Sequence, residues 1–128
     1  MPYLLDTHTF LWFVGGSNQL PKKVITKIEN IDEPCFISIA SFWEIAIKIQ
    51  IGKLDISIEF GELFRLADEN QIEILDINEN HLLQLLATEL HHNDPFDRII
   101  IAQAISEKLT LVSRDHKMGS YKVKLEWD

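Results

Sequence analysis

Residues 91–113 read HHNDPFDRIIIAQAISEKLTLVS and contain the two repeating units of the fold, a helix and a strand. Asp94 suits the N-cap of a helix and Pro95 suits its first turn. The apolar run that begins at Ile99 continues that helix. The segment LTLVS, residues 109–113, is apolar and has the length of a buried strand. A solidly apolar strand next to a helix is typical of a parallel sheet that is covered on both faces.

The same alternation extends through the rest of the chain. Strands are predicted at YLLD, CFIS, IEILDI and YKVKLEW, and helices at THTFLWFV, LPKKVITKIEN, SFWEIAIKIQIG, IEFGELFRLADENQ and ENHLLQLLATEL. No repeat or linker interrupts them, so we predict one α/β domain over residues 1–128. In such sheets, functional sites form outside the carboxyl ends of the strands, near a topological switch point.

Composition narrows the class of protein without naming a function. The chain has 128 residues, and its one cysteine, Cys35, excludes an internal disulfide framework and a cysteine-rich zinc site. We expect no signal peptide and no membrane span, hence a cytoplasmic protein. The net charge is −8, and residues 54–97 hold eleven acids but only one base, Arg65. This balance argues against tight binding to nucleic acid through a basic patch, although metal ions would offset acids at a nuclease site.

Two acids lie at or near the ends of early strands. Asp6 ends the first strand, where it either caps the next helix or belongs to a site at the carboxyl edge of the sheet. Glu44 lies in the strongly apolar helix SFWEIAIKI. Either it forms an exposed pair with Lys48, or it is buried and needs a cation, a metal or a hydrogen-bond donor.

Three further acids follow later in the chain. Capping explains Asp94 well, with Asp97 at the third helical position, but an aspartate at that position need not be a cap. Asp115 follows the strand LTLVS, and taken alone it is a turn residue. Together with Asp6 and Glu44, these acids exceed what capping and turns require.

Other catalytic motifs are missing from the sequence. It contains no P-loop, no GxGxxG, no GxSxG and no histidine or cysteine spacing typical of zinc sites. His8 and His116 are expected at most at the margin of a site. Trp12, Trp43 and Phe42 are more typical of core or interface packing than of a surface that stacks bases.

Four segments, taken in order, resemble the PIN domain, and more narrowly the VapC-like toxins of type II toxin-antitoxin pairs. They are LLDTHTFLW, ISIASFWEIAIKIQIGKL, HHNDPFDRIIIAQA and LTLVSRDHKM. The resemblance runs from Tyr3 to about Tyr121 and is weakest between Asp55 and His92. It implies a three-layer α/β/α sandwich with a mainly parallel central sheet, and a metal-dependent endoribonuclease that hydrolyses RNA phosphodiester bonds.

The resemblance also implies a ligand set. Carried over position by position, the catalytic and metal-binding acids of the family fall on Asp6, Glu44, Asp97 and Asp115. Carboxylates suit one or two Mg²⁺ or Mn²⁺ ions, and Asp6 is the expected bridge if there are two. Supporting and phosphate-contacting roles are expected for the remaining candidates: Thr7, Asp94 and Ser113 as residues that orient ligands, and Arg98, Arg114 and Lys117 as phosphate contacts.

The partners implied by the family are a small antitoxin, the RNA substrate and a second copy of the toxin, without a membrane. Two other functions stay open at this point. One is an acidic α/β phosphatase or phosphotransfer domain with Asp6 as nucleophile, although the second aspartate expected two residues on is replaced by His8. The other is a catalytically silent PIN-like binding module.

Overall fold

The computed structural model describes residues 2–89, 91 and 93–127, without the side chains of His116 and Ser120. Within these residues the strands are β1 (Tyr3–Leu5), β2 (Cys35–Ser38), β3 (Ile72–Leu75), β4 (Thr110–Val112) and β5 (Leu125–Glu126). The helices are α1 (Thr7–Val14), α2 (Lys22–Glu29), α3 (Ile39–Gln50), α4 (Phe60–Glu69), α5 (Glu79–Ala87) and α6 (Pro95–Glu107), and a 3₁₀ turn covers His116–Ser120.

The strands form one parallel sheet in the order β3-β2-β1-β4-β5. The central strand β1 pairs with β2 on one side, Tyr3 opposite Cys35, and with β4 on the other, Tyr3 opposite Thr110. The chain builds the sheet outward from β1 to β3 and then crosses to β4. The topological switch point therefore lies between the carboxyl ends of β1 and β4, which is where open parallel sheets form their sites.

The sheet separates two hydrophobic cores. Side chains alternate between the faces of a strand, so Tyr3 and Leu5 of β1 pack into one core and Leu4 into the other. The first core also receives residues of α1, α2, α3 and α4, and the second is formed mainly with α6. The sheet is covered on both faces, and the predicted three-layer α/β/α fold is confirmed.

Two local predictions differ from the structure. The segment YKVKLEW was expected to form a strand along most of its length, but only Leu125–Glu126 pairs, because β4 offers it only Leu111 and Val112. The helix predicted over LPKKVITKIEN begins only at Lys22, with Pro21 at its N-cap position. No helix among the described residues has the length and apolar character needed to cross a membrane.

Candidate active site

Asp6 connects the ends of the two strands at the switch point. Its side chain caps α1, since Oδ1 accepts a hydrogen bond from the backbone N–H of Thr9 at 2.8 Å. Its Oδ2 accepts a hydrogen bond from the hydroxyl of Ser113, which directly follows β4. Asp6 is buried. The helix-capping interpretation of Asp6 is therefore correct, and the same carboxylate also joins β1 to β4.

Glu44 is buried, with 3% of its surface exposed, in the middle of α3. Thr7 donates a hydrogen bond to its Oε1 at 2.7 Å, and Lys48 donates to its Oε2 at 2.6 Å. The oxygen of Ser41 lies 2.9 Å from that of Thr7. The pair with Lys48 forms as the sequence allows, but on a buried carboxylate rather than on an exposed helix face. Thr7 ties Glu44 to the residue next to Asp6.

Lys48 is the positive charge nearest to this buried carboxylate. Partial burial lowers the pKa of Lys48, but the hydrogen bond and the negative charge of Glu44 outweigh it. The charges of Asp94 and Asp97 act in the same direction, so the net shift raises the pKa. Lys48 therefore stays protonated at neutral pH and partly neutralises the acids around it.

Asp94 and Asp97 have different local roles at the start of α6. Asp94 Oδ1 accepts hydrogen bonds from the backbone N–H groups of Phe96 at 2.9 Å and of Asp97 at 3.2 Å. Among the described residues, no donor forms a hydrogen bond with the Asp97 carboxylate, so a reciprocal capping box is not formed. Capping accounts for Asp94 and leaves Asp97 unexplained by helix geometry.

Asp97 has the strongest electrostatic perturbation among the acids at this edge. Burial first, and then the charges of four neighbouring acids, raise the pKa of Asp97 to about 7. In decreasing order of effect, those neighbours are Asp94, Glu44, Asp6 and Asp115. The structure thus brings the other four acids singled out in the sequence within electrostatic range of Asp97 at the carboxyl edge of the sheet.

Ser113 connects Asp6 to Asp115. Its hydroxyl oxygen accepts a hydrogen bond from the backbone N–H of Asp115 at 3.0 Å, while its proton is donated to Asp6. The Asp115 Oδ1 accepts from the backbone N–H of Lys117 at 2.9 Å and so caps the 3₁₀ turn. Asp115 is half-buried beside the site rather than a fully solvated turn residue.

No group of three or more acidic, histidine or cysteine side chains in the described part of the chain is arranged so as to hold a metal ion. Hydrogen-bond donors occupy the carboxylates of two of these acids, since Thr9 and Ser113 donate to Asp6, and Thr7 and Lys48 donate to Glu44. The donor chemistry nevertheless fits Mg²⁺ or Mn²⁺, because it consists of carboxylate oxygens. The raised pKa of Asp97 reflects burial and like-charge repulsion, and a bound cation would relieve the repulsion.

The basic residues predicted to contact phosphate differ in their position and in their exposure. A cavity of about 320 Å³ opens beside Asp6 and Asp115, and Arg114 lines it. Arg98 is half-buried on α6 and Lys117 is exposed on the 3₁₀ turn. The side chain of His116 lies outside the described part of the structure.

Sequence reasoning undervalued three residues near the site. Lys48 was considered only as a surface partner, although its four-residue spacing from Glu44 was the signal for the ion pair. Ser41 lies one turn before Glu44 on the same helix face. Trp12, four residues after His8 on α1, lines the cavity next to the acids rather than only packing in the core.

Comparisons with known proteins agree with this geometry. Three solved structures share the fold at 18–20% sequence identity. The first is VapBC2 from Rickettsia felis bound to a promoter DNA fragment, with TM-score 0.74, 20% identity and full coverage of both chains. The second is DNA-bound VapBC from Salmonella typhimurium, with TM-score 0.70, 18% identity, and 98% of this chain and 97% of that chain covered.

The third is FitAcB from Neisseria gonorrhoeae, with TM-score 0.67 and 18% identity, covering 96% of this chain and 95% of that chain. A comparison with curated protein sequences found no significant match. The family model of the PIN domain matches residues 3–124, which is nearly the whole chain. The sheet order, the acids at its switch point and this match lead to one assignment: the chain belongs to the PIN domain family.

Proposed function

We propose that residues 1–128 form a single nuclease domain, a cytoplasmic metal-dependent endoribonuclease that acts as the toxin of a type II toxin-antitoxin pair. The observation that carries the proposal is the gathering of Asp6, Glu44, Asp97 and Asp115 at the carboxyl edge of a parallel sheet, in a chain of the PIN family. The substrate would be the phosphodiester bond of RNA.

The four acids would hold one or two Mg²⁺ or Mn²⁺ ions. Bound there, such ions activate water and stabilise the charge that develops on the phosphate during hydrolysis. A carboxylate set without an activated serine, cysteine or histidine suits this class of reaction. Binding of an ion at Glu44 would require Lys48 to move away or to share the Glu44 carboxylate with the ion.

The chain's own hydroxyl groups hold the acids in place. Thr7 orients Glu44 through the bond to its Oε1, and Ser113 orients both Asp6 and Asp115. Residues that fix ligand orientation in this way strongly affect metal affinity and activity. Asp94 sets the start of α6 and thereby the position of Asp97.

The phosphatase alternative fits the geometry less well. A nucleophilic aspartate must present a free oxygen to phosphorus. Both oxygens of Asp6 accept hydrogen bonds, one from the Thr9 backbone and one from Ser113, and the residue is buried. The position two residues on is His8 rather than a second aspartate.

The proposal includes an antitoxin and a second copy of the chain as partners. The structural neighbours are toxin–antitoxin complexes, which supports the first. Apolar side chains that a partner would cover are exposed on α3, where Trp43 is 61% exposed, and on α5, where Leu86 is 85% exposed. On α4, Leu63 and Ala67 are buried against the first core.

The test uses the purified chain, free of any partner, with single-stranded RNA in Mg²⁺, Mn²⁺ or EDTA. We expect cleavage with either ion, none in EDTA, and a loss of at least about 100-fold in Asp6→Asn and Asp97→Asn. Asp68→Asn, an exposed acid on α4, is the matched control. If the two site variants fold and cleave as well as Asp68→Asn, the proposed function is wrong. A chain that neither cleaves RNA nor binds Mn²⁺ is instead a silent binding module.

A further inference from the structure

The cavity of about 320 Å³ beside the acids has a composition that metal binding does not explain. Two of its walls are Asp6 and Asp115, and the others are His8, Trp12 and Arg114. Its volume lies at the lower end of the range typical of small-ligand sites. Aromatic and cationic groups therefore border the carboxylates on one side.

Trp12 presents a ring whose position is fixed by its neighbours. The ring packs edge-on against Trp127, with 6.0 Å between centroids, and it is half-buried in the first core. His8 lies one turn earlier on the same face of α1, 5.7 Å from the Trp12 ring and tilted by 41°. His8 is exposed. The two rings form an aromatic surface that opens directly beside Asp6.

Arg114 is likewise held in place. Its guanidinium carbon lies 4.8 Å from the centroid of the Trp12 ring, and its Nη1 donates a hydrogen bond to Gln19 Oε1 at 3.0 Å. It directly follows Ser113, which hydrogen-bonds Asp6. Among the described residues, this exposed arginine forms no ion pair with a neighbouring carboxylate, so its charge is available to an anionic group at the mouth of the cavity.

A ligand that suits these walls must combine a flat ring with a negative charge. Core packing explains why Trp12 touches Trp127, but it does not explain why Arg114 lies over the same ring and the exposed His8 lies beside it. Unpaired bases stack on aromatic side chains and on arginine planes, and phosphates pair with arginine. A nucleotide has both features.

We propose that this cavity is the subsite for one nucleotide of single-stranded RNA next to the scissile bond. Trp12 and His8 stack with its base, and Arg114 contacts a phosphate. The proposal rests on the function proposed above. Because the base must be unstacked to enter, a paired strand is excluded, and cleavage falls in loops and single strands.

The first test measures binding without catalysis. The indole N–H signals of the full chain are followed by NMR during titration with 5′-AMP and, separately, with ribose 5-phosphate. The Trp12 signal is assigned with Trp12→Phe. We expect 5′-AMP to shift the Trp12 signal more than that of Trp43, which does not line the cavity. Equal effects of the two ligands, or an unmoved Trp12, would overturn the subsite.

The second test separates the subsite from the chemistry. For cleavage of single-stranded RNA, we expect Arg114→Gln and Trp12→Leu to raise KM about tenfold with kcat unchanged, since base stacking contributes to binding in this range. Trp12→Phe should stay near wild type, and Arg65→Gln on α4 is the matched arginine control. Trp12→Leu removes core contacts, so Arg114→Gln and the NMR titration decide the proposal if that variant does not fold.

The two proposals fail in different ways. If the wild type cleaves RNA and Arg114→Gln has an unchanged KM, the subsite proposal is wrong and the nuclease proposal stands. If the wild type does not cleave RNA with Mn²⁺, the proposed nuclease function is wrong. The NMR titration then still decides whether the cavity binds a nucleotide.

Discussion

At the scale of single residues, Asp97 is the acid at the site whose pKa is raised, by partial burial and by the charges of its neighbours. Its pKa of about 7 means that the folded protein binds a proton at this carboxyl more tightly than the unfolded chain, where the value is 3.8. Below about pH 4 this carboxyl is protonated in both the folded and the unfolded state, so it does not make the free energy of unfolding depend on pH there. From about pH 4 to about pH 7 the unfolded chain has released this proton while the folded protein retains it, so the free energy of unfolding falls over this range and levels off above it.

We therefore predict that the metal-free protein becomes less stable between pH 5 and pH 8. Asp97→Asn should remove most of this loss and melt at a higher temperature than wild type at pH 8, even though it is the variant expected to lose activity. Thermal melts in EDTA at several pH values measure both effects. Asp68→Asn is the control, and a wild-type profile that parallels Asp97→Asn would contradict the prediction.

Lys48 gives a second prediction at this scale. Lys48→Met leaves Glu44 buried with Thr7 as its remaining hydrogen-bond donor among the described residues, so the metal-free protein should melt about 5 °C lower. Saturating Mn²⁺ should bring the variant close to wild type, because the ion replaces the lost positive charge. Lys53→Met, an exposed lysine just after the same helix, should change neither value. A deficit in Lys48→Met that Mn²⁺ does not reduce would argue against Glu44 as a ligand.

At the scale of elements, the start of α6 combines a structural and an electrostatic role. The Asp94 side chain accepts two backbone hydrogen bonds there, and its charge is the largest contribution from a neighbouring acid to the raised pKa of Asp97. A serine at this position keeps the cap and removes the charge, while an alanine removes both.

Asp94→Ala should lower the melting temperature by about 4 °C, since an N-cap contributes about 1 kcal/mol. Asp94→Ser should melt near wild type, with a lower pKa at Asp97, and should keep cleaving RNA. Melting curves and carboxyl titration by NMR measure these outcomes. If Asp94→Ser loses activity as Asp97→Asn does, then Asp94 is a ligand and more than a cap.

The elements were the part of the structure that the sequence predicted best. Apolar runs of strand length and a first turn such as DPFD are local signals, so β1, β4 and α6 were expected close to where they lie. The extent of β5 was not predictable, because it depends on how many residues β4 offers across the sheet. The contact of Arg114 with the Trp12 ring was not predictable either, since it joins residues about a hundred positions apart.

At the scale of the whole molecule, the acidic balance limits how RNA is bound. With a net charge of −8, the chain has few bases to neutralise phosphates. Arg98, Arg114 and Lys117 are the proposed contacts, and each single-strand contact contributes about −0.7 to the slope of log affinity against log salt. Specific stacking must then supply much of the affinity.

We predict a slope no steeper than about −2 for binding of a short single-stranded RNA to Asp97→Asn in Mg²⁺. Fluorescence anisotropy at salt concentrations from about 50 to about 300 mM measures this slope. Arg114→Gln should make the slope shallower by about 0.7, whereas Arg65→Gln should leave it unchanged. A much steeper slope would indicate a basic surface beyond these three residues.

The position of β1 in the sheet also bears on the order of events during synthesis. The central strand β1 is made before both of its neighbours in the sheet, and one of them, β4, follows more than a hundred residues later. The surroundings of Asp6 are complete only after Ser113 and Asp115 have been made and have folded beside it. A chain made only as far as β3 therefore carries Asp6 and Glu44 without the other residues that surround them in the folded protein.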